Sequence, residues 1–307
     1  MTVVFTDDLA DDDARRVRIY AGNLCLHAPT SKALEMCEFA AGMVREAFPG
    51  MDPEYAQFEL PVERYAQILA ALKPQFIHHP ESKRLIRELL VELNCDPEEI
   101  YFDVPRLRTA TSNDYLTTGI AYAFHPHRDT WYSAPMSQIN FWFPVFKLEE
   151  TNAMAFHPRY FNRGLQNSSA DFDYQRWNAT SRFNAVQHVK SDTRVQPRAL
   201  EPIELEPNIC VLPPVGGLLM FSGAQLHSTI PNNSGRTRFS IDFRVVHRGD
   251  LESLRGARNV DSHCTGSALP DFLRLSDLSR LPDELIRHYL PGHPTEPLTQ
   301  DLLRFAT

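Results

Sequence analysis

The sequence places a histidine and an aspartate two residues apart, in His127-Arg128-Asp129, and a further histidine, His227, far downstream, followed by Arg238. On extended backbone, residues i and i+2 point to the same side, so His127 and Asp129 can reach one metal ion together. Two imidazoles and one carboxylate fill one face of an octahedral ferrous ion and leave the opposite face open. For His227 to complete that set, two remote segments must fold back and meet at one point. This convergence limits the possible folds more than any other feature of the chain.

The surrounding pattern fits a scaffold of short strands. Residues 99–110, 119–124, 138–148 and 153–156 are rich in aromatic or β-branched side chains and bounded by turn residues. Strands are expected again over 203–205, 209–212, 217–221 and 238–246. The first hundred residues read as helical instead, with apolar residues at helical spacing over 31–46, 62–72 and 81–93, the last opened by Pro80. Residues 170–185 read as an inserted loop and helix. The tail from Ser267 reads as two or three short helices punctuated by Pro270, Pro282 and Pro291. The 23 prolines are spread through turns, leaving no low-complexity linker, and no internal repeat is visible. The predicted class is therefore mainly β with flanking helices, a jelly-roll or sandwich core rather than a parallel α/β sheet. One domain is expected over 1–307, with a helical N-terminal region (1–98), a catalytic core (99–248) and a C-terminal helical extension (249–307).

Composition narrows the function classes. A net charge of −8 weighs against a nucleic-acid surface. No apolar run is long enough for a membrane span, and the first residues lack the basic start and apolar stretch of a secretory signal. The five cysteines form no CxxC pair, so reduced thiols in a cytoplasmic protein are expected. No glycine-rich phosphate loop is present.

Around the metal motif, His125 precedes His127 by two residues and is expected in a supporting role. Arg238 begins a strand on which Ser240, Asp242 and Arg244 share its face, while Phe239, Ile241 and Phe243 share the other. A guanidinium fork pairs with a carboxylate, and a neighbouring hydroxyl can add a hydrogen bond, so Arg238 and Ser240 are candidates for anchoring 2-oxoglutarate. Arg236 is expected in solvent and Arg244 in a structural ion pair. Gln138, Asn140 and Trp142 alternate along one strand; the two amides either bind the cosubstrate or substrate or form a buried polar ladder. Trp131, Tyr132 and Trp142 are candidate walls of a substrate site. Arg159, with Arg106, Arg108 and Arg163, is a candidate contact for an anionic substrate.

These positions together resemble the iron(II)/2-oxoglutarate dioxygenase superfamily, and within it the phytanoyl-CoA-hydroxylase-like branch. The resemblance covers roughly residues 120–246. It is carried by His127 and Asp129, the strand QINFWFPV, the TNAMAFHPRYF turn, His227 with PNNSG behind it, and Arg238-Phe239-Ser240. His157-Pro158-Arg159 departs from the family's usual segment at that turn. The resemblance implies a double-stranded β-helix core, a cupin-like jelly roll. It also implies Fe(II) on His127, Asp129 and His227, with 2-oxoglutarate and dioxygen as cosubstrates. The reaction expected is oxidation of a small molecule, by hydroxylation, desaturation or ring closure, in specialised or amino-acid metabolism. A carboxylate at Asp129 fits oxygenation rather than halogenation. Expected partners are a small-molecule substrate, with no nucleic acid and no membrane, and the chain is expected as a monomer or homodimer. Two alternatives stand beside this reading: a cupin-like metal dioxygenase that does not use 2-oxoglutarate, and a silent ligand-binding protein on the same fold.

Overall fold

A computed structural model describes residues 3–6, 11–116, 125–181, 194–290 and 304–305. The strand expected over 119–124 and the end of the 170–185 insertion lie outside these residues. No described helix is long and apolar enough to cross a membrane.

Four helices build the N-terminal part: α1 (Asp12–Tyr20), α2 (Ser31–Ala47), α3 (Val62–His78) and α4 (Pro80–Glu92). The Thr30 hydroxyl accepts the Ala33 N–H and caps α2. The Glu92 carboxylate accepts the backbone N–H groups of Ser31 and Lys32, so the end of α4 places negative charge on the first turn of α2. Pro80 occupies the first turn of α4, where a missing N–H costs nothing. Helix α3 extends beyond the expected 62–72, through Pro74 to His78, with Phe76 buried in the core.

The strands are β1 (Val3–Thr6), β2 (Leu24–His27), β3 (Ile100–Phe102), β4 (Arg106–Ala110), β5 (Ile139–Pro144), β6 (Met154–Phe156), β7 (Ile209–Val211), β8 (Leu218–Ser222), β9 (His227–Thr229), β10 (Arg238–His247) and β11 (Leu273–Arg274). The larger sheet runs β1-β2-β8-β5-β10-β3-β11, with β4 also paired to β10. Only β1 and β2 are parallel within it. The smaller antiparallel sheet is β7-β6-β9. The chain is thus a mixed helix and sheet protein with antiparallel sheets.

Alternation decides which face of the larger sheet does what. In register, Asp242 stands opposite Trp142 and Arg106, and Arg244 opposite Asn140. The other face carries Phe239, Ile241 and Phe243 beside Phe141 and Phe143. These are buried in one cluster with Met36, Leu69 and Leu89 from α2, α3 and α4. The helices therefore cover the apolar face and leave the polar one to a cavity.

Several expectations are corrected here. Residues 99–110 form two short strands, parted at Pro105, which has no N–H to give a ladder. Residues 203–205 form no strand; the Glu204 N–H donates to the Tyr160 hydroxyl instead of a neighbouring backbone. The flanks are not purely helical, since β1 and β2 come from the N-terminal region and β11 from the tail. The described tail holds α6 (Arg248–Glu252), a 3-10 turn at Leu269–Asp271, β11 and α7 (Asp283–Tyr289). In the insertion, α5 spans Tyr174–Thr180.

Candidate metal centre

The backbones of His127 and His227 exchange two hydrogen bonds of 3.0 Å, an isolated antiparallel bridge that sets the two residues side by side. Their ring centres are 4.4 Å apart. Asp129 opens a 3-10 turn, Asp129–Tyr132, immediately after this bridge. Its Oδ1 lies 3.6 Å from His127 Nε2 and 4.0 Å from His227 Nε2. Among the described residues, these three form the one group of His, Cys, Asp or Glu whose ligand atoms all lie within 4.8 Å of one another. They form a metal-binding triad.

Each ligand is held from behind. His127 Nδ1 lies 2.8 Å from the His125 carbonyl oxygen, and His227 Nδ1 lies 3.0 Å from that of Gln225. A carbonyl can only accept, so both Nδ1 atoms carry the proton and both Nε2 lone pairs face the centre. The second carboxylate oxygen of Asp129 accepts from Gln138 Nε2 at 3.0 Å and Asn140 Nδ2 at 2.7 Å. Gln138 Nε2 also donates to Asn140 Oδ1 at 2.9 Å. Gln138 and Asn140 thus form a buried polar ladder directed at the aspartate, leaving Oδ1 for a metal. Gly223 stands close behind, where a Cβ would lie 3.4 Å from the Asp129 Cβ.

Electrostatics favour the ligand forms. Burial pushes the Asp129 carboxyl up, but the His127 ring and the charge of Arg244 outweigh it and hold the group well below the carboxylate range. Burial, helped by His127, draws His227 down to about 4, so its imidazole is neutral at neutral pH.

The triad opens into a cavity of about 370 Å³. Arg238 lies in its wall, 8% exposed, donating through Nη1 to the Asn152 carbonyl at 2.9 Å and the Ala153 carbonyl at 3.3 Å. Its guanidinium sits over the Trp142 ring, 5.6 Å from the centroid. Burial draws Arg238 down to about 10, which leaves it charged at neutral pH. No described carboxylate lies within ion-pair distance of it, and both its Nε and the Ser240 Oγ are buried without a hydrogen-bond partner.

The remaining candidates divide. Tyr132 and Trp142 line the cavity. Trp131 does not: it is fully buried and donates its indole N–H to Asp261 at 2.8 Å, behind the site. Arg159 is also misplaced as a substrate contact, because it is half-exposed and pairs with Glu204 at the surface. Arg106 and Arg108 line the cavity, paired with Asp103 at 2.6 Å and Asp242 at 2.5 Å. Arg244 bonds Asp103 at 3.0 Å and also comes within 3.8 Å of Asp129. Arg236 lies near the surface, 3.7 Å from Glu149.

One supporting element was missed in the sequence. Arg128, between the two ligands, is fully buried and points away from the metal. It donates to Asp261 at 3.1 Å, to the Ala224 carbonyl at 2.5 Å and to the Tyr160 and Arg163 carbonyls at 2.6 and 3.0 Å. The i, i+2 parity that puts His127 and Asp129 together also directs the residue between them to the opposite side. That parity was the available signal, although the partner Asp261 had none.

No protein-family profile matches the sequence, and no curated protein matches it. Among solved structures the chain is similar to the apo form of ThoJ, described as a non-heme monooxygenase. That match has 15% identity, covers 78% of this chain and 77% of that one, and has a TM-score of 0.38. It is similar to EvdO2 from Micromonospora carbonacea var. aurantiaca complexed with 2-oxoglutarate, at 12% identity over 78% of this chain and 91% of that one, TM-score 0.41. A third is the epimerase SnoN in complex with Fe3+, alpha ketoglutarate and nogalamycin RO, at 15% identity over 76% and 84%, TM-score 0.38.

Proposed function

We propose that this chain is a non-haem iron(II)- and 2-oxoglutarate-dependent oxygenase of a small molecule, built on a double-stranded β-helix. The observation that carries this reading is Arg238: a buried, charged guanidinium without a carboxylate partner, in the wall of the same cavity as the His-Asp-His triad and two residues along β10 from the buried, unpaired Ser240 hydroxyl. A buried cation of this kind calls for an anion. A carboxylate suits the fork of the guanidinium, and a dicarboxylate can reach from it towards the metal.

The donor set fits iron(II), which takes imidazole and carboxylate ligands in a facial arrangement. Iron held there by His127, Asp129 and His227, together with 2-oxoglutarate and dioxygen, would supply the oxidising power to insert one oxygen atom into a C–H bond of the substrate, with 2-oxoglutarate converted to succinate and carbon dioxide. The chain's own residues prepare this. Asp129 offsets cation charge with the oxygen that Gln138 and Asn140 leave free. His127 and His227 present Nε2 because backbone carbonyls hold Nδ1. Arg238 and Ser240 receive the far carboxylate, and the buried walls keep bulk water from the reacting atoms.

Hydroxylation is the proposed outcome, since it needs no further group from the protein. The superfamily branch proposed is the phytanoyl-CoA-hydroxylase-like one, with residues 99–248 as the catalytic part of a single domain. A monomeric or homodimeric cytoplasmic enzyme of specialised or amino-acid metabolism completes the reading.

The test is an anaerobic titration of the protein with Fe(II) and then 2-oxoglutarate, read by the weak visible charge-transfer band of the chelate. The band should form in the unaltered protein. In Arg238→Ala it should require a much higher 2-oxoglutarate concentration, with iron binding unchanged. Iron binding without any band would overturn the use of 2-oxoglutarate, and absence of iron binding would overturn the oxygenase reading itself.

A further inference from the structure

Beyond the iron ligands and the carboxylate anchor, the same cavity carries a row of aromatic rings. The Tyr132 ring meets the His127 ring edge-on, with centroids 5.6 Å apart. Phe172 meets Tyr132 edge-on at 5.3 Å, and Trp177 stands 5.8 Å from Phe172, tilted by 45°. The Arg194 guanidinium lies 5.4 Å from the centre of the Trp177 ring. Tyr132, Phe172, Trp177 and Arg194 all line the cavity.

The row begins on a metal ligand and leads away from it. Its members come from three places: the turn that starts at Asp129, the segment entering α5, and α5 itself. The segment entering α5 is fixed to the tail by the Thr265 N–H, which donates to the Phe172 carbonyl at 3.0 Å, and by the Tyr174 N–H, which donates to the Thr265 carbonyl at 3.3 Å. A wall of aliphatic side chains would accept any apolar chain by area alone. Aromatic rings add a quadrupole, with electron-rich faces and electron-poor edges, and so favour a flat ring over a puckered group of equal size. The cation over Trp177 adds a further preference for an electron-rich ring.

We propose that the substrate is a flat, ring-bearing small molecule that lies against Tyr132, Phe172 and Trp177 and turns its reacting C–H bond to the open face of the metal. Its role as substrate rests on the oxygenase reading; the ring site itself does not.

The probes are 2-naphthol and decahydro-2-naphthol, alike in skeleton but flat in one case and puckered in the other. Each is titrated calorimetrically into the full chain loaded anaerobically with Fe(II) and 2-oxoglutarate, and into Trp177→Leu and Trp177→Phe. The unaltered protein should bind 2-naphthol about tenfold more tightly than its saturated partner. Trp177→Leu should weaken 2-naphthol about fivefold and leave the saturated probe nearly unchanged, while Trp177→Phe keeps most of the difference. Equal affinities in the unaltered protein overturn the proposal, whatever the variants do. A well-folded Trp177→Leu that still discriminates fully overturns the part assigned to Trp177. Discrimination without iron binding removes the oxygenase reading and leaves the ring site. The band without discrimination removes the ring site alone.

Discussion

At the scale of single residues, the centre depends on how Asp129 is held as much as on Asp129 itself. Asn140 gives the shorter of the two amide hydrogen bonds to its outer oxygen. Removing it leaves Oδ2 half-supported and the carboxylate free to rotate. We expect Asn140→Ala to weaken Fe(II) binding about tenfold, the lower end of what outer partners of metal ligands contribute. Asp129→Ala should abolish tight binding; equilibrium dialysis under anaerobic conditions measures both. His227 makes a separate prediction through its proton. Burial and His127 draw it down to about 4 in the folded chain, against an unfolded value of about 6.5. The unfolded state therefore binds more protons between these values, so this stabilisation is complete above about pH 6.5 and is lost as pH falls towards 4. For the metal-free protein, the urea midpoint should fall from about pH 7 to about pH 4.5, and His227→Gln should flatten that fall. An identical slope in the variant would show that other groups carry it. The residues whose placement was legible in the sequence are those with a pattern behind them: the HxD pair at the metal centre, and Arg238 in the cavity wall by strand parity. Trp131 and Arg159 were misread because nothing local tells a pocket wall from a buried indole or a surface guanidinium.

At the scale of elements, β10 makes two structures at once. Its Phe239, Ile241 and Phe243 face the helices, and its Arg238, Ser240, Asp242 and Arg244 face the polar side. The two faces should answer separately to mutation. Ile241→Ala leaves a void in a fully buried cluster and should cost about 2–5 kcal/mol of stability. Its effect on 2-oxoglutarate binding should be small. Ser240→Ala removes a buried hydroxyl that has no partner, so stability should hold or rise slightly, while the 2-oxoglutarate requirement increases. Urea denaturation and the band titration, run on both variants, test this separation; a Ser240→Ala that unfolds early would show the hydroxyl to be structural. This alternation was readable because β10 is long. By contrast, β9 has three residues, too few for a period to emerge, although it carries His227. Residues 203–205 had strand composition but no neighbouring strand, and pairing is a tertiary property that composition does not encode.

At the scale of the whole molecule, the metal centre is tied to the tail through Arg128 and Asp261. Asp261 accepts from the Arg128 guanidinium and the Trp131 indole, both in the ligand segment, and from the Leu165 N–H. Arg128 in turn holds the Ala224 carbonyl, three residues before His227. One buried ion pair therefore joins the segment of the first two ligands, the approach to the third, the loop after β6 and the chain beyond β10. Breaking a buried pair from one side leaves the other charge uncompensated, so Asp261→Ala should cost about 3–5 kcal/mol of stability. Asp261→Asn keeps one of the two acceptor oxygens, enough for the indole or for the Leu165 N–H but not both, and should cost less than the alanine. The informative quantity is the metal's effect on the melting temperature, since an ion that binds only the folded state stabilises it in proportion to its affinity. If the pair positions the ligands, Ni(II) should raise the Tm of the unaltered protein clearly and that of Asp261→Asn by much less, even though both fold. If the pair merely holds the tail, the two shifts should be equal and only the starting Tm should differ. Scanning calorimetry with and without Ni(II) decides between them. We expect the smaller shift, because the Arg128 contacts run to both sides of the His127–His227 bridge.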